Sequence, residues 1–157
     1  MLIEIWSVGK VNEAFMEPAI SHYLGKIKPY NPIELVVIPP PKKGVLPTPE
    51  ATMQAEELAI LKKLQPHHYL IVLDERGKML SSPEWAAQFQ QRMNQSTKSL
   101  VLLIGGAFGV TETVKARAQD RWSLSKLVFP HQLVRLVVAE QVYRAFSILH
   151  NSPYHHA

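Results

Sequence analysis

Ser99-Leu100-Val101-Leu102-Leu103-Ile104-Gly105-Gly106-Ala107-Phe108-Gly109 is the stretch on which the fold turns. After Ser99 it is a continuous apolar run of strand length, the mark of a strand buried on both faces of a sheet. The glycines that follow permit positive φ and close backbone approach. They lead into a helix beginning at Thr111. Strand followed by helix then recurs in both directions. Upstream, Leu2 to Val8 reads as a strand, and Asn12 caps a helix to about Lys28. Ile33 to Ile38 is a second strand, stopped by Pro39-Pro40-Pro41. An exposed basic loop with Lys42, Lys43 and Gly44 leads to a helix from about Glu50 to Leu64. Tyr69 to Leu73 is a third strand, leaving into a turn at Asp74-Glu75-Arg76-Gly77-Lys78. Ser82 with Pro83 starts a helix that runs to about Asn94. Downstream of the glycines, Leu124 to Phe129 reads as a short fifth strand before a last helix from about Gln132 to His150. The alternation predicts an α/β fold with a mostly parallel sheet flanked by helices, in one domain over residues 1–157.

Composition bounds the function classes. The 157 residues suffice for a real core, and 46% apolar with 19% charged residues argues against disorder. No apolar run approaches the roughly 18 residues of a membrane span. The start, Met1 to Trp6, has no basic segment and carries Glu4, so no signal peptide is expected. The absence of cysteine excludes disulfides and thiolate chemistry. It fits a reducing compartment, and a cytoplasmic protein is expected. A net charge of +4 tilts the chain towards polyanionic partners such as RNA.

The candidate site lies in the last third of the chain. In open parallel sheets, ligands bind beyond the carboxyl ends of the strands, where Leu73 and Gly105 both fall. The turn Gly105-Gly106-Ala107-Phe108-Gly109 is neither a dinucleotide fingerprint nor a phosphate loop, since its first glycines are adjacent and no Gly-Lys-Ser/Thr follows. By itself it reads equally as a tight turn or as a ligand cradle. In Leu124 to His131, Ser125 and Lys126 interrupt an apolar stretch and Pro130 sets the helix entry, a pattern that also fits an edge strand.

The last helix carries Leu133, Val134, Leu136, Val137, Val138, Val142, Phe146, Ile148 and Leu149 around nearly its whole circumference. Such a helix is buried, which points to a partner subunit and a twofold homodimer. Within it Glu140, Arg144 and Ser147 share a sector of about 60°. The first two are either an i,i+4 pair worth a few tenths of a kcal/mol or groups retained for chemistry. The tail Asn151-Ser152-Pro153-Tyr154-His155-His156 offers an aromatic ring for stacking on a base. Its adjacent histidines have no third well-spaced partner, so no metal site is expected.

Together these motifs resemble the large-subunit ribosomal RNA pseudouridine methyltransferases, the RlmH type within the SPOUT methyltransferases. The resemblance runs over essentially the whole chain: Val8-Gly9-Lys10, Val72-Leu73-Asp74, Ile104-Gly105-Gly106, Leu124-Ser125-Lys126-Leu127, Phe129-Pro130-His131, Glu140-Gln141-Val142-Tyr143-Arg144-Ala145 and Tyr154-His155. It implies a homodimer with a C-terminal trefoil knot. It implies S-adenosylmethionine as methyl donor, and N3 of pseudouridine 1915 in the 23S rRNA of the assembled ribosome as acceptor. It also implies donor contacts at Leu73, Gly105 and the run Leu124, Ser125, Lys126, Leu127, Val128 and Phe129. His131, Glu140, Arg144, Tyr154 and His155 are then the candidates for catalysis and base placement. Two other classes compete: an RNA-binding module without catalysis, using Lys42, Lys43, Arg135 and the tail, and a nucleotide-dependent oxidoreductase. The missing early glycine fingerprint disfavours the second.

Overall fold

The structure is a computed structural model and describes residues 1–41, 46 and 48–156. Among the described residues five strands, β1 (Leu2–Val8), β2 (Ile33–Ile38), β3 (His68–Met79), β4 (Ser99–Ile104) and β5 (Asp120–Ser123), alternate with five helices. These are α1 (Glu17–Ile27), α2 (Pro49–Lys63), α3 (Ser82–Asn94), α4 (Glu112–Arg117) and α5 (His131–Leu149). The sheet order is β2-β1-β4-β3-β5, and every pairing is parallel.

Both faces are covered, which is why β4 is apolar without interruption after Ser99. Leu100, Leu102 and Ile104 meet Trp85 and Phe89 of α3 and Val138, Val142 and Phe146 of α5 on one face. Val101 and Leu103 meet Ile60 of α2 and Val114 of α4 on the other. The alternation is that of a pleated strand. No helix among the described residues is long and apolar enough to cross a membrane.

Several boundaries differ from the sequence expectation. Asn12 does not cap α1. The helix starts at Glu17 after Met16, with Pro18 in its first turn, and Asn12 instead accepts from Arg135 Nη1 at 3.0 Å. Ser81 rather than Ser82 caps α3, because the capping box requires the glutamate three residues on: Ser81 Oγ accepts from Glu84 N–H, and Glu84 accepts from Ser81 N–H.

Asp74 to Lys78 is not a free turn. β3 bulges there and pairs with β5 again, so Trp122 lies opposite both Leu73 and Lys78. Gly77 makes this possible: a Cβ at that position would lie 2.7 Å from the Arg121 carbonyl. The fifth strand is Asp120–Ser123, anchored by the buried Trp122. Leu124 to Phe129 is instead an irregular loop. Lys42, Lys43 and Gly44 lie outside the described residues.

Within the subunit the fold covers only part of the circumference of α5. Val138, Ala139, Val142, Ala145 and Phe146 are buried, whereas Leu133, Leu136, Val137, Glu140 and Arg144 remain accessible along an open strip. Ser147 leaves the polar sector: it is buried, and its hydroxyl donates to the Tyr143 carbonyl at 2.9 Å.

Candidate active site

A cleft of about 610 Å³ opens at the carboxyl end of β4, beside the bulge of β3. The buried run of β4 carries the chain to the rim, where the glycine turn takes over. Gly109 N–H donates to the Gly106 carbonyl at 3.0 Å, and Gly109 sits at φ +80°. A Cβ on Gly105 would meet Val110 Cγ1 at 2.9 Å, and one on Gly106 would collide with the Glu56 carboxylate. Both positions therefore need glycine, because the turn packs its backbone directly against Val110 and Glu56. Beneath it, burial raises the Glu56 carboxyl above its ordinary range, and its Oε2 has no hydrogen-bond partner among the described residues.

The opposite wall is the loop after β5. Ser125 shapes it with both oxygens: its carbonyl accepts from Ser123 Oγ at 3.0 Å, and its hydroxyl accepts from Leu127 N–H at 3.0 Å. Leu127 and Val128 project into the open at 69% and 83% exposure. The N-cap Pro130 then hands the chain to α5 at His131.

Leu73, Gly105, Leu124, Ser125, Leu127, Val128, Phe129 and His131 all line this cleft; Lys126 does not. Asp74, Glu75, Arg76, Glu112 and Lys115 line it as well and were missed from sequence. For Asp74, Glu75 and Arg76 the signal was a charged stretch directly after the apolar run of β3; Glu112 and Lys115, on α4, gave none. Lys115 Nζ lies 3.5 Å from Asp74 and 3.4 Å from Glu112. His131 is half-buried, and burial, followed by the Arg135 charge, lowers its pKa, so a neutral imidazole faces the cleft at neutral pH.

Glu140, Arg144, Tyr154 and His155 gather elsewhere. Glu140 Oε1 accepts from Arg144 Nε at 3.0 Å, Arg144 Nη2 at 2.6 Å and the Tyr154 hydroxyl at 3.0 Å. Arg144 Nη1 is 3.4 Å from His155 Nδ1, and its guanidinium lies 4.8 Å from the Tyr154 ring centre. Burial, with Tyr23 and Glu140 adding to it, pushes the Tyr154 hydroxyl well above its ordinary value. It is thus a donor and not a base at neutral pH. Glu140 holds Arg144 charged. None of these four lines the cleft. At about 1.5 Å per residue, Glu140 stands ~13 Å along α5 from His131 and Arg144 ~20 Å. Arg135 is only 1% exposed, with Nε donating to Ser7 Oγ at 2.7 Å, so it is not the surface cation that an RNA-binding module would use.

Comparison with known proteins covers nearly the whole chain. The family model described as "Predicted SPOUT methyltransferase" matches residues 1–155. The chain belongs to the SPOUT methyltransferase family. Among its relatives are proteins named ribosomal RNA large subunit methyltransferase H. The one from Parabacteroides distasonis is 40% identical over 99% of each chain. Those from Cytophaga hutchinsonii and Desulforamulus reducens are 37% and 39% identical, covering 99% and 98% of this chain and 100% and 98% of their own. As a SPOUT methyltransferase, the chain uses a methyl donor.

Proposed function

We propose that this chain is an S-adenosylmethionine-dependent 23S rRNA methyltransferase. Its acceptor is N3 of pseudouridine 1915 in the assembled ribosome, and it works as a cytoplasmic homodimer of one knotted domain. The observation that carries the reading is the cleft, where two segments remote in sequence, Gly105–Gly109 and Leu124–Phe129, form facing walls of one cavity. The relatives' common name adds the ribosomal RNA substrate.

The residues present fit the donor. The cavity is within the 300–1,000 Å³ range typical of cofactor sites. Leu73, Leu124, Leu127 and Phe129 supply apolar walls for a purine, and the Gly105–Gly106 backbone lines the cavity. Asp74, Glu75 and Glu112 offer carboxylates to hydroxyls and to positive charge. The donor brings an electrophilic methyl group on a sulfonium; the chain has to hold the acceptor nitrogen in line with it.

The imide N3–H of pseudouridine is weakly acidic, so a base at the cleft helps. The neutral imidazole of His131, on the cleft wall, suits that role. A fixed cation stabilises the developing anion, and Arg144, charged and oriented by Glu140, suits it. Within one subunit this cation is too far along α5. In the homodimer, the open strip of α5 becomes the interface, and the partner's Arg144 and tail complete the cleft. Calorimetry with S-adenosylmethionine tests the reading. Micromolar binding supports it, and no binding at millimolar donor rejects it.

A further inference from the structure

Next to the donor cleft lies a second cavity of about 260 Å³, lined by Arg76, Gly77, Lys78, Lys115, Ala118, Gln119, Asp120 and Arg121. Four cations face one carboxylate. Lys78 lies 3.4 Å from Asp120, but its side chain is 70% exposed and free to turn outward. Lys115 is shared between Asp74 and Glu112. The Arg76 and Arg121 guanidinium groups make no ion pair among the described residues.

This concentration of charge is built into the sheet. The β3 bulge brings Arg76 and Lys78 back beside β5, and only glycine at position 77 lets the two backbones meet. Four side chains from β3, α4 and β5 therefore converge on one hollow. Arg76 and Lys115 line both cavities, so the hollow continues directly from the donor cleft. Exposed guanidinium and ammonium groups with surplus positive charge recognise phosphate oxygens, and neutralising each phosphate makes binding salt-dependent.

We infer that the hollow between the β3 bulge and β5 is a phosphate-binding subsite, in which Arg76, Lys78, Lys115 and Arg121 hold the RNA backbone beside the nucleotide presented to the donor cleft. The inference rests on the reading of the chain as an RNA methyltransferase and adds to it the residues that anchor the strand. Lys78 and Arg121 line only the second cavity, so they separate phosphate anchoring from donor binding.

The experiment measures binding to ribosomes from cells lacking the gene, across a salt series, for wild type, K78Q/R121Q and the charge-retaining K78R/R121K. For K78Q/R121Q the slope of log affinity against log salt should shrink by about one to two, with roughly tenfold weaker binding at physiological salt. K78R/R121K should keep the wild-type slope. Donor affinity by calorimetry should stay within about twofold in both, which also shows that the variants are folded. An unchanged slope and affinity in K78Q/R121Q, with wild type binding normally, overturns the subsite and leaves the methyltransferase reading standing. Wild-type protein that shows no salt-dependent ribosome binding overturns both.

Discussion

The Arg144 guanidinium donates to a single oxygen of Glu140 through both Nε, at 3.0 Å, and Nη2, at 2.6 Å. The same oxygen accepts the Tyr154 hydroxyl, so one carboxylate aims both a cation and the C-terminal tail. The side chains are only 25% and 18% exposed, which makes the pair more costly to disrupt than a surface ion pair.

Glu140→Gln should therefore impair positioning more than folding. Methylation is expected to fall about 10–100-fold, with donor affinity unchanged and a stability loss of roughly 1–2 kcal/mol. Single-turnover kinetics and calorimetry on the same preparation separate these effects. A loss of donor affinity equal to the loss of rate would count against the assignment.

Deleting Pro153 to Ala157 should abolish methylation and leave donor binding largely intact, because none of the described tail residues lines the cleft. Wild-type turnover in the truncated protein would refute a role for the tail.

His131 titrates below its ordinary value, because burial and then the Arg135 charge disfavour the imidazolium. The unfolded chain, with an ordinary histidine near pH 6.5, binds the proton more readily. His131 therefore costs stability as pH falls from about 6.5 towards its lowered folded value, and costs none above that window. Relative to wild type, His131→Asn should gain in melting temperature between pH 7.5 and about 5.5. A pH-independent difference between the two proteins would contradict this.

Two glycines should respond with opposite signs. Gly77→Ala drives a methyl group into the Arg121 and Trp122 backbone at 2.7 Å and should cost about 1–3 kcal/mol. Gly25→Ala, inside α1 with nothing within 4 Å of the new Cβ, should stabilise by roughly 0.5–1 kcal/mol. Denaturant unfolding of both variants is the check.

The core strands were legible because burial on both faces writes itself as an unbroken apolar run, as in Leu100 to Ile104. The polar half of β3 was not, since Asp74 to Lys78 has turn composition and only the fit of Gly77 against β5 keeps it in the sheet. β5 escaped for a similar reason: its single large apolar residue, Trp122, sets no period. The cleft was legible at Leu73, Gly105 and the loop after β5, because strand ends and glycine turns locate a parallel-sheet site without distances. The separation of Glu140 and Arg144 from that cleft was not. Neighbours in a helical sequence still move apart by about 1.5 Å per residue, and only the folded chain shows which end of α5 the cleft occupies.

On the proposed reading, the tail and Arg144 of one subunit complete the cleft of the other. Mixed dimers of the tail-deleted chain with a chain whose cleft is blocked, for instance by Gly105→Trp, test it most directly. Each homodimer should be inactive. A mixed dimer contains one complete site if the tail acts across the interface, so an equal mixture should recover about a quarter of wild-type activity, from half the dimers with one of two sites intact. No recovery, in mixtures where calorimetry still finds donor binding and sedimentation finds mixed dimers, would place the tail in its own subunit's site and contradict the account.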